Sequence, residues 1–248
     1  MEKRSALTII ALASLLVLAR MSVNAAPQGF FTGDLTVHQT QTASGGRGGE
    51  QTSTVTTYLS GNVMKTSSSD GNDSILRLDE GKLILIDNKR KTYSETTFQQ
   101  LQEMMDKAMG GQKELPAEVA KMMGASTSPM TVTKVGPGEN IAGFPTEKYL
   151  VKGPIEMELW AAPGLKLPAQ YYDAIKLRMP RNPLFDFGKL YDEMKRIDGM
   201  PVKQVMTMKM MMGMEMKTTT VVTGVDKGAI PKTTFDVPAG YKRVDLMK

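Results

Sequence analysis

Two hydrophobic regimes divide the chain. Ala6 to Ala19 is an unbroken run of small and apolar residues, relieved only by Thr8 and Ser14. Lys3 and Arg4 precede it, Arg20 ends it, and Val23-Asn24-Ala25 follows with small residues at the two positions a signal peptidase reads. A membrane-spanning helix needs roughly 18 or more apolar residues, so this run is too short to anchor the chain. Residues 1–25 are therefore read as a cleaved signal peptide, and residues 26–248 as a single mature domain.

After position 26 the pattern is mostly short alternation. Phe30 to Gln41 reads as a first strand and Gln51 to Leu59 as its return, joined by the glycine-rich piece ASGGRGGE. Val63 to Ser67, Ser74 to Leu78 and Lys82 to Asp87 are further strands, separated by turn residues such as SSDGND. From Thr97 the period changes. Phe98, Leu101, Met104, Met105, Ala108 and Met109 fall at helical spacing, and Thr97 with Gln100 has the spacing of a capping box. A second helix is predicted over Pro116 to Met123.

Strands return at Thr131 to Val135, Thr146 to Lys152 and Glu156 to Ala161, the last carrying Trp160. Helices are predicted over Tyr171 to Met179 and over Leu184 to Ile197, the second ended by Asp198-Gly199. Val202 to Val225 is β again, and Phe235 to Leu246 closes the chain. The order strands, helices, strands, helices, strands lacks regular βαβ alternation. It predicts an α+β fold, with an antiparallel sheet and helices laid on one face. No internal repeat or long linker divides the mature chain.

Composition removes several function classes. The 248 residues include no cysteine and one histidine. Disulfides, thiolate metal sites, thiol nucleophiles and a lipidated N-terminal cysteine are excluded. His38 alone builds no His/Cys metal cluster, and no nucleophile elbow accompanies it, so it is read as a surface or satisfied interior residue. No phosphate-binding loop or dinucleotide fingerprint occurs. The formal charge of +5 is partly signal peptide, and no basic run or aromatic-basic stripe points to nucleic acid. No catalytic residue, cofactor or enzymatic activity is expected.

Methionine is the unusual component, at 21 residues. Every even position from Met206 to Met216 is Met. As one strand, Val202 to Val225 would extend roughly 80 Å at about 3.3 Å per residue, so the segment must fold back. Gly213 and the lost alternation at Met211 put the turn near Met211 to Met214. Met206, Met208 and Met210 then share a face of the first arm, with Met216 on the second. Three readings compete. Met fills a core; or the unbranched thioethers line an adaptable apolar pocket, with Met104, Met105, Met109, Met122 and Met123 covering the same cavity; or M-x-M spacing offers soft ligands to Cu(I) through Met206, Met208, Met210 and Met216.

Several stretches resemble an uncharacterised family of exported bacterial proteins related to the periplasmic lipoprotein carriers of the LolA/LolB-like superfamily. They are LILIDNKRKTY (83–93), ENIAGFPTEKY (139–149), ELW (158–160), GMPV (199–202) and FDVPAGY (235–241). The resemblance implies a curved antiparallel sheet, a half-open β-barrel whose concave face is covered by helices, with an apolar cavity between. It transfers no catalytic residue. Together these readings predict a periplasmic or secreted protein binding a lipid or acyl chain, without a transmembrane anchor once cleaved. The lining residues expected are Met206, Met208, Met210, Met216, Met104, Met105, Met109, Leu101 and Trp160. A non-catalytic envelope scaffold or interaction module, engaging a partner through the hairpin tip, is the remaining alternative.

Overall fold

The computed structural model describes residues 31, 33–45, 49–108, 130–153, 156–166, 187–209 and 215–246. The signal segment, the helices predicted at Pro116 to Met123 and Tyr171 to Met179, Met109, Met210 and the hairpin tip lie outside these residues.

Twelve strands form one curved, unclosed sheet in the order β12-β6-β5-β4-β3-β2-β1-β11-β10-β9-β8-β7. They are β1 (Leu35–Ser44), β2 (Gln51–Ser60), β3 (Val63–Ser68), β4 (Asn72–Arg77), β5 (Lys82–Asp87), β6 (Thr92–Thr97), β7 (Thr131–Pro137), β8 (Glu147–Lys152), β9 (Glu156–Ala162), β10 (Met200–Lys209), β11 (Glu215–Asp226) and β12 (Lys242–Arg243). Among the described residues two α-helices, α1 (Phe98–Ala108) and α2 (Phe187–Met194), and a short 3-10 turn, Lys232–Phe235, accompany them. Every strand pair is antiparallel except the short β12–β6 contact.

Local chemistry explains the elements. α1 starts where its capping box dictates: the Gln100 amide donates to Thr97 Oγ1 at 3.1 Å, and the Thr97 amide donates to Gln100 Oε1 at 2.9 Å. The β10–β11 hairpin forms as its length requires, with Met208 opposite Met216 and Lys209 opposite Glu215. The IAGF piece makes a two-residue turn. Ala142 (φ 49°) and Gly143 (φ 84°) take the left-handed conformation, and Ile141 and Phe144 exchange backbone hydrogen bonds of 3.0 and 2.9 Å.

Some expectations are revised. The first strand starts at Leu35, because Phe31 turns away and donates its amide to Gly61. β6 carries no alternating apolar signal. Its inward residues on one face, Ser94 and Thr96, are hydroxyl side chains at only 7% and 5% exposure.

Register sorts the side chains onto two faces. On the face bearing α2, Tyr149, Val151, Met157 and Leu159 pack against Leu190 and Ile197. The opposite face carries Ile75, Ile84 and Ile86, covered by Val237 and Tyr241 of the C-terminal segment. The Tyr241 hydroxyl, 2.9 Å from Asn88 Oδ1, and the Arg77 guanidinium, 3.2 Å from the Phe235 carbonyl, fasten that cover. Each face is thus buried over part of its area by a different element.

Candidate functional site

A hollow of about 290 Å³ opens where β1 begins. Phe31, Leu35, Leu59, Leu165 and Met200 supply its apolar wall; Asp34, Lys166 and Lys227 supply its charge. Its volume lies at the lower limit of small-molecule sites, and its make-up of apolar wall with a few polar groups is typical of them.

Each wall segment is fixed by backbone geometry. The Phe31 amide donates to the Gly61 carbonyl at 2.9 Å, in the turn between β2 and β3. Leu165 lies in the turn after β9, its amide donating to Ala162 at 3.0 Å and its carbonyl accepting from Met200 at 2.7 Å. That second bond ties the turn to the first residue of β10. Gly199 makes the approach feasible, since a Cβ there would sit 2.1 Å from the Ala162 carbonyl oxygen. Gly164, in contrast, faces open space: a Cβ there would meet nothing within 4 Å.

The charged groups differ in their engagement. Asp34 Oδ2 accepts the Ile230 amide at 2.7 Å, joining the segment after β11 to the start of β1. This bond, with help from the Ser60 hydroxyl, holds the Asp34 carboxyl below the usual carboxylate range. Lys166 pairs with Asp198. Lys227 has no ion-pair partner among the described residues.

The sequence-selected residues fall elsewhere. Met206 lies opposite Met157 on the α2 face and packs, half-buried, against the cluster of Tyr149, Val151 and Leu159. Met216 is half-buried on the same face, with Met208 opposite it in register. Leu101 and Met104 are half-buried on α1, and Met105 belongs to the same helix. That helix contacts β6, and in sheet order β5, β4, β3, β2, β1 and β11 stand between β6 and β10. Met104, Met206 and Met216 do not line the hollow; Met200 does.

Trp160 is separated from the methionine set. It pairs with Lys203 and Lys148, whereas Met157 pairs with Met206, so the period-two alternation of β9 puts Trp160 on the face opposite α2. There it is 8% exposed, beneath the Ile141–Phe144 turn. The Lys148 and Lys203 ammonium groups stand 4.7 and 4.5 Å from its ring centroid. Gly138 admits the ring: a Cβ there would lie 2.6 Å from Trp160 Cδ1. Trp160 is part of the core on that side, not a wall of the hollow.

His38 also lies on the face opposite α2, its Nε2 3.0 Å from Asp226 Oδ2 and its Nδ1 3.3 Å from Thr56 Oγ1. These groups form a row across β2, β1 and the end of β11, with His38 half-buried and Asp226 largely exposed. The row is a surface hydrogen-bond chain, as the solitary histidine predicts. Among the described residues no group of three or more His, Cys, Asp or Glu side chains is placed to hold a metal ion. No helix among them is long and apolar enough to cross a membrane.

Sequence reasoning missed the hollow because its wall is not periodic. Phe31 precedes the first strand, Leu165 sits in a turn, and Leu59 ends a strand. No local pattern marks Leu165, which alternates with Leu167 in the sequence and is 4% exposed in the structure.

Among solved structures, the chain is similar to an uncharacterized conserved protein from Thermus thermophilus, with TM-score 0.47 and 8% identity over 86% of this chain and 90% of that one. It is also similar to a LolA superfamily protein from Nitrosomonas europaea, with TM-score 0.34 and 9% identity over 85% and 91%. A third is a putative outer membrane lipoprotein-sorting protein domain from Vibrio parahaemolyticus, with TM-score 0.32 and 8% identity over 82% and 89%. A search of curated proteins finds no match. A family profile described as a domain of unknown function matches residues 31–241, which span strands β1 to β11, and the chain belongs to that family, DUF4412.

Proposed function

We propose that this protein is a non-catalytic binding protein of the periplasm or extracellular space, which holds an apolar ligand such as an acyl chain between its sheet and helices. In this reading the face bearing α2 is the concave face of a half-open barrel, and the ligand enters at the hollow beside β1. The observation that carries it is that hollow: Phe31, Leu35, Leu59, Leu165 and Met200 converge on about 290 Å³ that the described side chains leave unfilled. Burying apolar ligand surface there gains about 25 cal/mol per Å². The N-terminal segment supports the export assignment.

The test is native mass spectrometry of the mature protein, isolated without detergent and followed by organic extraction. The proposal expects an adduct of lipid or fatty-acid mass that extraction removes. Protein free of such adducts, which also fails to take up medium-chain fatty acids or alcohols added to saturation, rejects it.

A further inference from the structure

The charge that lines the hollow lies at its solvent side. Leu35, Val37, Gln39, Gln41 and Ala43 of β1 share one face by alternation, and none is ionisable. Lys166 and Lys227, by contrast, are exposed residues of the lining. Register brings Lys227 there. Thr36 pairs with Asp226, so the next position sets Lys227 across from Leu35, a wall residue.

The charged groups are not equally committed. Lys166 is paired with Asp198, and the pair carries no net charge. The Asp34 carboxylate accepts the Ile230 amide at 2.7 Å and the Ser60 hydroxyl, so donors of the chain itself stabilise its charge. Lys227 has no side-chain partner among the described residues, and its donors are open to a ligand. An ammonium is a compact point charge that pairs with carboxylate or phosphate alike, without the two-pronged geometry a guanidinium favours. A volume of about 290 Å³, at the lower limit of small-molecule sites, suits one short chain better than two.

Resting on the reading of the hollow as an apolar-ligand site, we propose that its ligand is a single-chain amphiphile with an anionic head, a carboxylate or a phosphate. The tail lies against Leu35, Leu59 and Leu165, and the head pairs with the Lys227 ammonium. A neutral amphiphile of equal chain length gains no ion pair, and a cationic one meets Lys227 as a like charge. Both are weaker ligands.

The test is calorimetric titration of the mature protein with octanoate, octyl phosphate, octanol and octylammonium at neutral pH, each below its micelle concentration. At least one anion should bind about fivefold more tightly than octanol, the upper end of what an exposed ion pair supplies. Octylammonium should bind most weakly, and the preference should shrink as salt is raised. The two anions, compared with each other, separate a carboxylate head from a phosphate head, and inorganic phosphate, which has no tail, should displace neither. Lys227→Gln should bring the anions within about twofold of octanol, while Lys227→Arg, which keeps the charge, should retain the preference. Equal affinity for octanol and both anions, tighter binding of octylammonium, or an undiminished preference in folded Lys227→Gln overturns the proposal and leaves the hollow standing as an apolar-ligand site. Failure of all four amphiphiles to bind overturns both.

Discussion

Gly199→Ala tests how the wall of the hollow is built. Gly199 has φ +99°, a conformation that L side chains rarely adopt. A Cβ there would lie 2.1 Å from the Ala162 carbonyl oxygen, 2.4 Å from its carbon and 2.7 Å from Pro163 Cα. All three are backbone atoms of the turn that carries Leu165, so no flexible side chain can move aside. Relief requires the turn to retreat by more than 1 Å (to about 3.4 Å, ordinary contact) and strains the 2.7 Å bond from the Met200 amide to the Leu165 carbonyl. The conformational strain alone costs about 1–3 kcal/mol. Losing a buried backbone hydrogen bond adds about 1–3 kcal/mol. A total near 3 kcal/mol lowers the melting temperature by roughly 6–12 °C in a domain of this size. Urea unfolding followed by circular dichroism measures it, with Gly164→Ala as control. Gly164 lines the same hollow but has open space at its Cβ, so that change should stay within about 0.5 kcal/mol of the parent. Equal stabilities for the two variants would refute the close-approach account.

Two further outcomes follow from the geometry. Thr97→Ala removes the hydroxyl that accepts from the Gln100 amide and should cost about 1 kcal/mol in denaturant unfolding; an unchanged midpoint contradicts the capping box seen at the start of α1. Asp34 titrates below its usual range because of the Ile230 amide, so its folded pKa is depressed. Its contribution to stability is therefore present above the unfolded value of about 3.9 and is lost as pH falls through the lower folded value. Asp34→Asn should flatten the loss of stability below pH 4, and identical acid-unfolding profiles for parent and variant count against it.

Legibility from the sequence followed the physics that sets each element. β5 was readable to the residue because its LILI run is bounded by Gly81 and by the Asn88 turn. α1 was readable because Thr97 and Gln100 cap locally. The β10–β11 hairpin was readable because no domain of this size accommodates a single strand of that length. β6 was not, because Ser94 and Thr96 satisfy an interior position with hydroxyls instead of apolar atoms. Trp160 and Met157 are three residues apart on β9, so alternation puts them on opposite faces, but only the packing of Met157 with Leu190 reveals which face carries α2. The hollow was illegible for a third reason. Phe31, Leu59 and Leu165 come from three distant turns and strand ends, and no periodicity links residues gathered by tertiary closure.

Binding of an environment-sensitive apolar fluorophore by the parent protein and by Gly164→Trp tests the central claim most directly. Gly164 lines the hollow and a Cβ there meets nothing within 4 Å, so a large side chain at this position is expected to compete for ligand space. Saturable fluorescence enhancement in the parent, reversed by added fatty acid and weakened at least tenfold in a folded Gly164→Trp variant, is the predicted result. Absence of saturable enhancement in the parent, or equal enhancement in both proteins, would contradict the assignment of the apolar ligand to this hollow.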